Sequence, residues 1–231
     1  MTGVISSGVV SRTLQFTGTG VFNPDILAAA HRLLDEVEAD PAVECLYLTG
    51  EDKNFSQGLD LEYLMANLDV FPQFVVDTMR LAARLLTFPV PVVSIVNGHA
   101  FGLGAMLVLA SDYAVMRSDR GFFCLPEINI GMTLAVRMNA LVTSRMSTRA
   151  VRDTLLTGAR IDAARALELN IVDGIGSVEQ LPALAEAVSE PMRGKPRHLL
   201  AGLKYGASKT LVDLIMSDVD DGPIQAIEPK W

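Results

Sequence analysis

The sequence predicts an α/β protein in which short strands alternate with amphipathic helices and a helical region closes the chain. Two features carry this reading. β-Branched runs recur ahead of helix-periodic segments as far as Leu125, and from Met132 onward the pattern is almost wholly helical. No repeat, low-complexity block or linker breaks the chain before residue 190, so residues 1–190 are expected to form one α/β core and residues 191–231 a C-terminal helical extension. The 231 residues, half of them hydrophobic, suffice for one large core.

The elements follow in order. Val9–Phe16 is a first strand. The next segment has Asn23 as N-cap, Pro24 at the first helical position and apolar Ile26, Leu27, Ala30, Leu33, Leu34 and Val37 at helical spacing. It reads as an amphipathic helix laid on a sheet. Val43–Thr49 is a core strand, Gly50–Asp60 a polar loop, Phe71–Leu86 a second helix and Val90–Gly98 a third strand. The stretch Phe101–Asp112, FGLGAMLVLASD, is a Gly-x-Gly turn running into an apolar helix. Two short strands, Asp112–Met116 and Phe122–Leu125, come next, and Ile171–Gly176 interrupts the helical remainder.

Composition excludes several classes. With 19 Lys and Arg against 27 Asp and Glu the formal charge is −8, and no block of five like charges occurs, which argues against a nucleic-acid surface. Cys45 and Cys124 sit in apolar runs and read as reduced core thiols of a cytosolic protein. The first residues lack the order of a secretory signal, no apolar run approaches a membrane span, and Glu228–Trp231 is not a peroxisomal address. The expectation is a cytoplasmic protein with no membrane partner.

Two glycine-containing turns lie at the carboxyl ends of strands, where α/β proteins place ligands. One is Phe55–Asp60 and the other is the Gly102-x-Gly104 turn. Such turns present backbone N–H groups to negative charge. The second resembles the start of a dinucleotide fingerprint, but Leu107 stands at the third glycine position and the preceding strand comes late in the chain. Close packing of helix on sheet would also explain that turn taken alone. Glu127 follows a strand among Leu125, Pro126, Ile128, Ile130 and Met132. A carboxyl group there is partly desolvated, which raises its pKa and suits it to exchange a proton near neutral pH.

Four segments, Asn54–Leu61, Ser94–Met116, Phe122–Met132 and Leu155–Ile175, resemble in order and spacing the crotonase superfamily of enoyl-CoA hydratases and isomerases. The resemblance covers most of residues 9–205 and implies a spiral of ββα units, an acyl-CoA thioester substrate and a homotrimer or dimer of trimers built on the C-terminal helices. It implies an oxyanion hole formed by the backbone N–H groups of Leu59 and Leu103, with Gly58, Gly102 and Gly104 shaping the two turns. Hydratases of the superfamily carry two glutamates. Here the first falls at Met106, which cannot activate water, and the second at Glu127, which matches. That combination, without the Gly-rich run that many hydratases carry after the Pro-Glu segment, is similar to the Δ3,Δ2-enoyl-CoA isomerases of fatty acid metabolism. Their chemistry implies no metal or redox cofactor, coenzyme A being part of the substrate.

The chain also departs from the pattern. Where relatives carry a basic segment before an Asn-Ala-Leu-like run, this sequence has GTGVFNPDIL, Gly18–Leu27, so the resemblance supplies no basic contact to CoA phosphates there. Asp153, beside Arg149 and Arg152, reads as an ion-pair partner, Asp112 as a structural hydrogen-bonding group, and His99 as an ordinary hydrogen-bonded histidine near the site. Lys204 reads either as a lysine near CoA or as a surface lysine. Leu61, Leu64, Met65, Leu68 and Phe71 read either as acyl-pocket lining or as core. Other functions with a single carboxylate stay open: hydration by an unidentified group, thioester hydrolysis, decarboxylation, or acyl-CoA binding without turnover.

Overall fold

A computed structural model describes residues 10–221. Strand β1 (Ser11–Gln15) starts two residues later than expected at its N-terminal end, and Val9 and the segment Glu228–Trp231 lie outside the described residues. After β2 (Val21–Phe22), helix α1 (Pro24–Ala39) begins as the sequence dictates: the Asn23 side chain accepts from the Ile26 N–H at 3.1 Å, and Leu27, Ala30, Leu34 and Val37 are buried. Strand β3 (Cys45–Thr49) follows.

The expected polar loop Gly50–Asp60 is instead structured. It holds β4 (Asn54–Ser56) and β5 (Gly58–Leu59), and Asp60 caps α2 (Leu61–Ala66) by accepting from the Tyr63 N–H at 3.0 Å. Strands of two or three residues are too short to show alternation, so polarity alone read as loop. Helix α3 (Phe71–Leu86) matches its predicted bounds. Next come β6 (Val92–Val96), β7 (His99–Phe101), α4 (Leu103–Ala110), β8 (Tyr113–Arg117) and β9 (Phe123–Cys124). A 3₁₀ turn, Glu127–Ile130, leads to α5 (Val136–Arg145), α6 (Thr148–Thr154), α7 (Ala163–Glu168), β10 (Gly174–Gly176), α8 (Leu181–Ser189) and α9 (Arg197–Met216).

Among the described residues, the ladders between these strands are parallel. One five-stranded sheet has the order β1-β3-β6-β8-β10, a three-stranded ladder joins β4-β7-β9, and β2 pairs with β5. Each strand of the large sheet from β1 to β8 therefore hands the chain to a strand of a small one, and a helix returns it in most turns. The repeated handover stacks the turns leaving β3 and β6. Asn97 staples them, its Oδ1 accepting from the Gly50 N–H at 2.8 Å and its Nδ2 donating to Asn54 O at 3.2 Å.

Helix α4 is the centre of this stack. All eight of its residues are buried, which explains an apolar sequence with no hydrophilic face. Helix α9, the described part of the extension together with a 3₁₀ turn at Glu190–Met192, packs on α3 and α5. Its Lys204 is buried and donates to Asp112 Oδ2 at 2.7 Å and to Val90 O at 3.2 Å, while Asp112 Oδ2 also accepts from the Val92 N–H at 2.7 Å. Lys204 is thus neither a surface lysine nor near the Gly-turn site, and Asp112 has its expected structural role. Burial pushes the Asp112 carboxyl up and the Lys204 ammonium down, each opposed by the other's charge. Cys45 and Cys124 are free and buried, and burial raises the Cys45 thiol to about 11.

The Lys204–Asp112 pair generates a stability prediction. Lys204→Met or Asp112→Asn alone strands one buried charge and is expected to cost about 3–5 kcal/mol, read as a lower urea midpoint, with the double variant recovering most of the loss. Unchanged midpoints in both single variants would contradict the buried pair.

Candidate active site

The two glycine turns meet backbone to backbone. Gly58 has φ +88°, and a Cβ placed on it would fall 2.7 Å from Phe101 O and 3.0 Å from Leu103 N, so only glycine permits this approach. Gly104 does the same deeper in the fold: a Cβ there would lie 2.8 Å from Ser56 Cβ. Ser56 is buried, donates to Gly20 O at 2.6 Å and accepts from the Gly58 N–H at 3.1 Å, which fixes the turn before β5.

The direction of the amides follows from the ladder. The Asp60 N–H donates to Phe22 O at 3.0 Å, and alternate N–H groups of a strand point to opposite sides. The Leu59 N–H therefore points away from β2, to the edge where α4 begins. Leu103 is the first residue of α4, so its N–H is one of the donors that a helix cannot satisfy internally, and Gly102 provides no side-chain cap. Leu59 and Leu103, from separate loops, both line one cavity beside the positive end of a buried helix.

Glu127 joins them. Its Oε1 would be 3.8 Å from a Cβ on Gly102, and its Oε2 is buried with no hydrogen-bond partner. Ile128 and Ile130 are half exposed, so the apolar neighbours expected to desolvate Glu127 do so only in part. The walls of a cavity of about 70 Å³ supply the rest: Leu59, Leu61, Leu103, Met106, Leu134 and Met138, with Gln57, Pro126, Met132 and Thr133 beside them. Burial pushes the Glu127 carboxyl above its ordinary value, and its own backbone N–H offsets part of this. Among the described residues, Glu127 is the one ionisable side chain lining the cavity.

This geometry can hold an oxygen that gains negative charge at two amides, with a proton-accepting carboxylate beside it. Comparison with known proteins gives the family. The model of the enoyl-CoA hydratase/isomerase family matches residues 6–215. The chain belongs to that family.

Among its relatives, the peroxisomal enoyl-CoA delta isomerase 1 of Arabidopsis thaliana is 27% identical over 217 residues, 90% of each chain. A putative enoyl-CoA hydratase of Thermus thermophilus is 34% identical over 176 residues, 73% of this chain and 69% of the relative. An enoyl-CoA hydratase/isomerase family protein from Pseudomonas syringae superposes with a TM-score of 0.82 at 26% identity, covering 92% and 91% of the two chains. The human mitochondrial Δ3-Δ2-enoyl-CoA isomerase does so with a TM-score of 0.79 at 23% identity, over 86% of this chain and 78% of that one, a likeness of fold. The protein thus has the crotonase fold and is an enzyme of a family acting on enoyl-CoA thioesters. Relatives named both isomerase and hydratase stand at similar identity, and those named by compartment are peroxisomal or mitochondrial, so neither reaction nor compartment follows from membership.

Of the residues singled out in the sequence, Leu59, Leu61, Gly102, Leu103, Met106 and Glu127 line the cavity, and Gly58 and Gly104 form the contacts behind it. Leu64 is core, whereas Met65 and Leu68 are exposed and do not line the cavity. His99 is not conventionally hydrogen-bonded: its ring packs on Phe101 and Phe122 at 5.2 and 5.6 Å, and its Nδ1 is buried without a partner. Asp153 pairs with Arg149, Arg152 and Arg165. Residues Met132–Leu134 and Met138 were not foreseen as lining. The signal present was the lack of a Gly-rich run after Glu127.

The raised Glu127 pKa has a sign for stability. Between the unfolded and the higher folded value the native state binds more protons, so this group's contribution falls as pH rises through that window and is most unfavourable above it. Glu127→Gln is therefore expected to raise Tm at pH 7, by the order of 1 kcal/mol of a buried unpaired acceptor, with the gain shrinking towards pH 4. Thermal melts at both pH values check this; a Tm loss at pH 7 would contradict it.

Proposed function

We propose that the protein is a Δ3,Δ2-enoyl-CoA isomerase. The observation that carries this is the single carboxylate: Glu127 lines the cavity, and the position that a second glutamate would take is the buried thioether of Met106. Adding water across a double bond needs a group to activate the water and a place for it. Shifting a double bond needs one base that can return its proton.

The steps balance without a co-reactant. The Glu127 carboxylate removes a proton from C2 of a 3-enoyl thioester, breaking the C2–H bond. The electron pair moves into a dienolate whose charge rests on the thioester oxygen, held by the Leu59 and Leu103 amides. The carboxylic acid then gives the proton to C4, leaving the double bond between C2 and C3. The raised pKa of Glu127 narrows the gap between carboxyl and carbon acid, which favours both transfers. No metal or redox cofactor enters these steps, and coenzyme A arrives with the substrate. Met132, Thr133 and Leu134 line the cavity in the stretch after Glu127, where many hydratases carry a Gly-rich run.

The same reading includes a homotrimer or a dimer of trimers. Leu199 and Leu203, 55% and 73% exposed, share a face of α9 with Gly202 and Gly206 and would be covered by a second copy. Sedimentation of the purified protein is expected to give three or six chains, and a monomer would refute the assembly.

The activity is tested by supplying 3-enoyl-CoA and following the conjugated 2-enoyl thioester. Glu127→Gln is expected to lower kcat about 10²- to 10⁴-fold. The wild-type rate is expected to rise with pH through the raised Glu127 value, because the deprotonated carboxylate starts the reaction. Equal rates for wild type and variant would sink the assignment, and rapid hydration of a 2-enoyl-CoA would replace it with the hydratase reading.

A further inference from the structure

We infer that this enzyme takes short-chain acyl thioesters, with the chain ending near C6 against a wall made by Met106, Leu134 and Met138. The inference rests on the proposed placement of the thioester at the Leu59 and Leu103 amides and adds the substrate class to it. With the carbonyl oxygen there and C2 to C4 beside Glu127, the atoms past C4 must use whatever space the cavity has left. Coenzyme A is too large and too charged to enter, so its arm crosses the open side. Among the lining residues that side is marked by Leu61 and Ile130, 40% and 50% exposed. The acyl tail then points inward.

Inward, among the described residues, the cavity is walled by buried side chains. Met106, Leu134 and Met138 are 1%, 8% and 4% exposed, and α4 and α5, which carry Met106 and Met138, pack directly on each other. The cavity volume of about 70 Å³ is small against the several hundred Å³ of common ligand pockets, roughly 300–1,000 Å³. A cavity of this size suits the thioester oxygen and a short chain, and the inferred limit is set at about C6. Met138 is the residue taken to set the limit, since it lines the cavity from α5, an element separate from the two glycine turns. Met65 and Leu68, the exposed apolar residues of α2 and the turn after it, do not line the cavity, so a longer tail gains nothing by reaching them inside it.

Binding of saturated acyl-CoA thioesters from acetyl to dodecanoyl, measured by calorimetry, tests this without requiring turnover. Kd is expected to fall about fourfold per buried methylene up to hexanoyl, then to level off or rise. In Met138→Ala the break is expected to move to octanoyl or decanoyl, and the volume-conserving Met138→Leu is expected to leave it at hexanoyl. Affinity that keeps climbing to dodecanoyl in the wild type, or that ignores chain length from acetyl onward, would overturn the inference. Turnover of the matching 3-enoyl-CoA series separates the two claims. A break at hexanoyl with no isomerisation at any length leaves the short-chain wall standing and removes the catalytic reading. Isomerisation fastest at C10 or longer does the reverse.

Discussion

The approach of one backbone to another, with no side chain between them, is the constraint from which the site follows. Gly58 lies against Phe101 O and Leu103 N, and Gly104 against Ser56. A methyl group at Gly58 would push β5 off the start of α4, and one at Gly104 would push β4 off that helix. In the proposed reading the donors are backbone, so the residues carrying them are free to be leucines and the pocket mouth can be apolar. The same approach demands that α4 be buried on every side, hence LGAMLVLA, whose first residue, Leu103, lines the cavity.

Around those amides the electrostatics are kept spare. Glu127 has one buried oxygen without a partner, and among the described residues no lining cation stabilises its charge. A carboxylate in that state is a stronger base than one in water, and the protein gives up folding free energy to hold it there. A second glutamate at Met106 would add like charge at short range and raise both pKa values further. Leaving a thioether there keeps one proton in play, which is all that a 1,3-shift between carbons needs.

Much of this was legible in the sequence, and the limits have physical causes. Helices α1 and α3 declared themselves through caps and 3.6-residue periodicity, which are local properties. Strands β4, β5 and β7 did not, because two or three residues carry no period; they exist only through pairing with partners far along the chain. The turn residues and Glu127 were readable because their chemistry needs particular residue types. The far wall was not, because Leu134 and Met138 reach the cavity only after the chain reverses at Gly131, φ +70°, beyond the 3₁₀ turn. Lys204, open in the sequence between a lysine near CoA and a surface lysine, is instead recruited by a buried carboxylate far along the chain.

That far wall is itself held from outside the α/β core. Arg137, one residue before Met138 and 3% exposed, donates to Ile215 O at 2.9 Å, to Ser217 O at 2.6 Å and to Val219 O at 3.0 Å, and pairs with Asp221. Its guanidinium thereby satisfies carbonyls at and beyond the end of α9 that the helix leaves unpaired. The clamp fastens the C-terminal helix to α5 and fixes the face from which Met138 enters the cavity. The extension is therefore joined to the pocket's construction: Arg137 ties the end of α9 to α5, and α5 carries Met138 into the cavity lining.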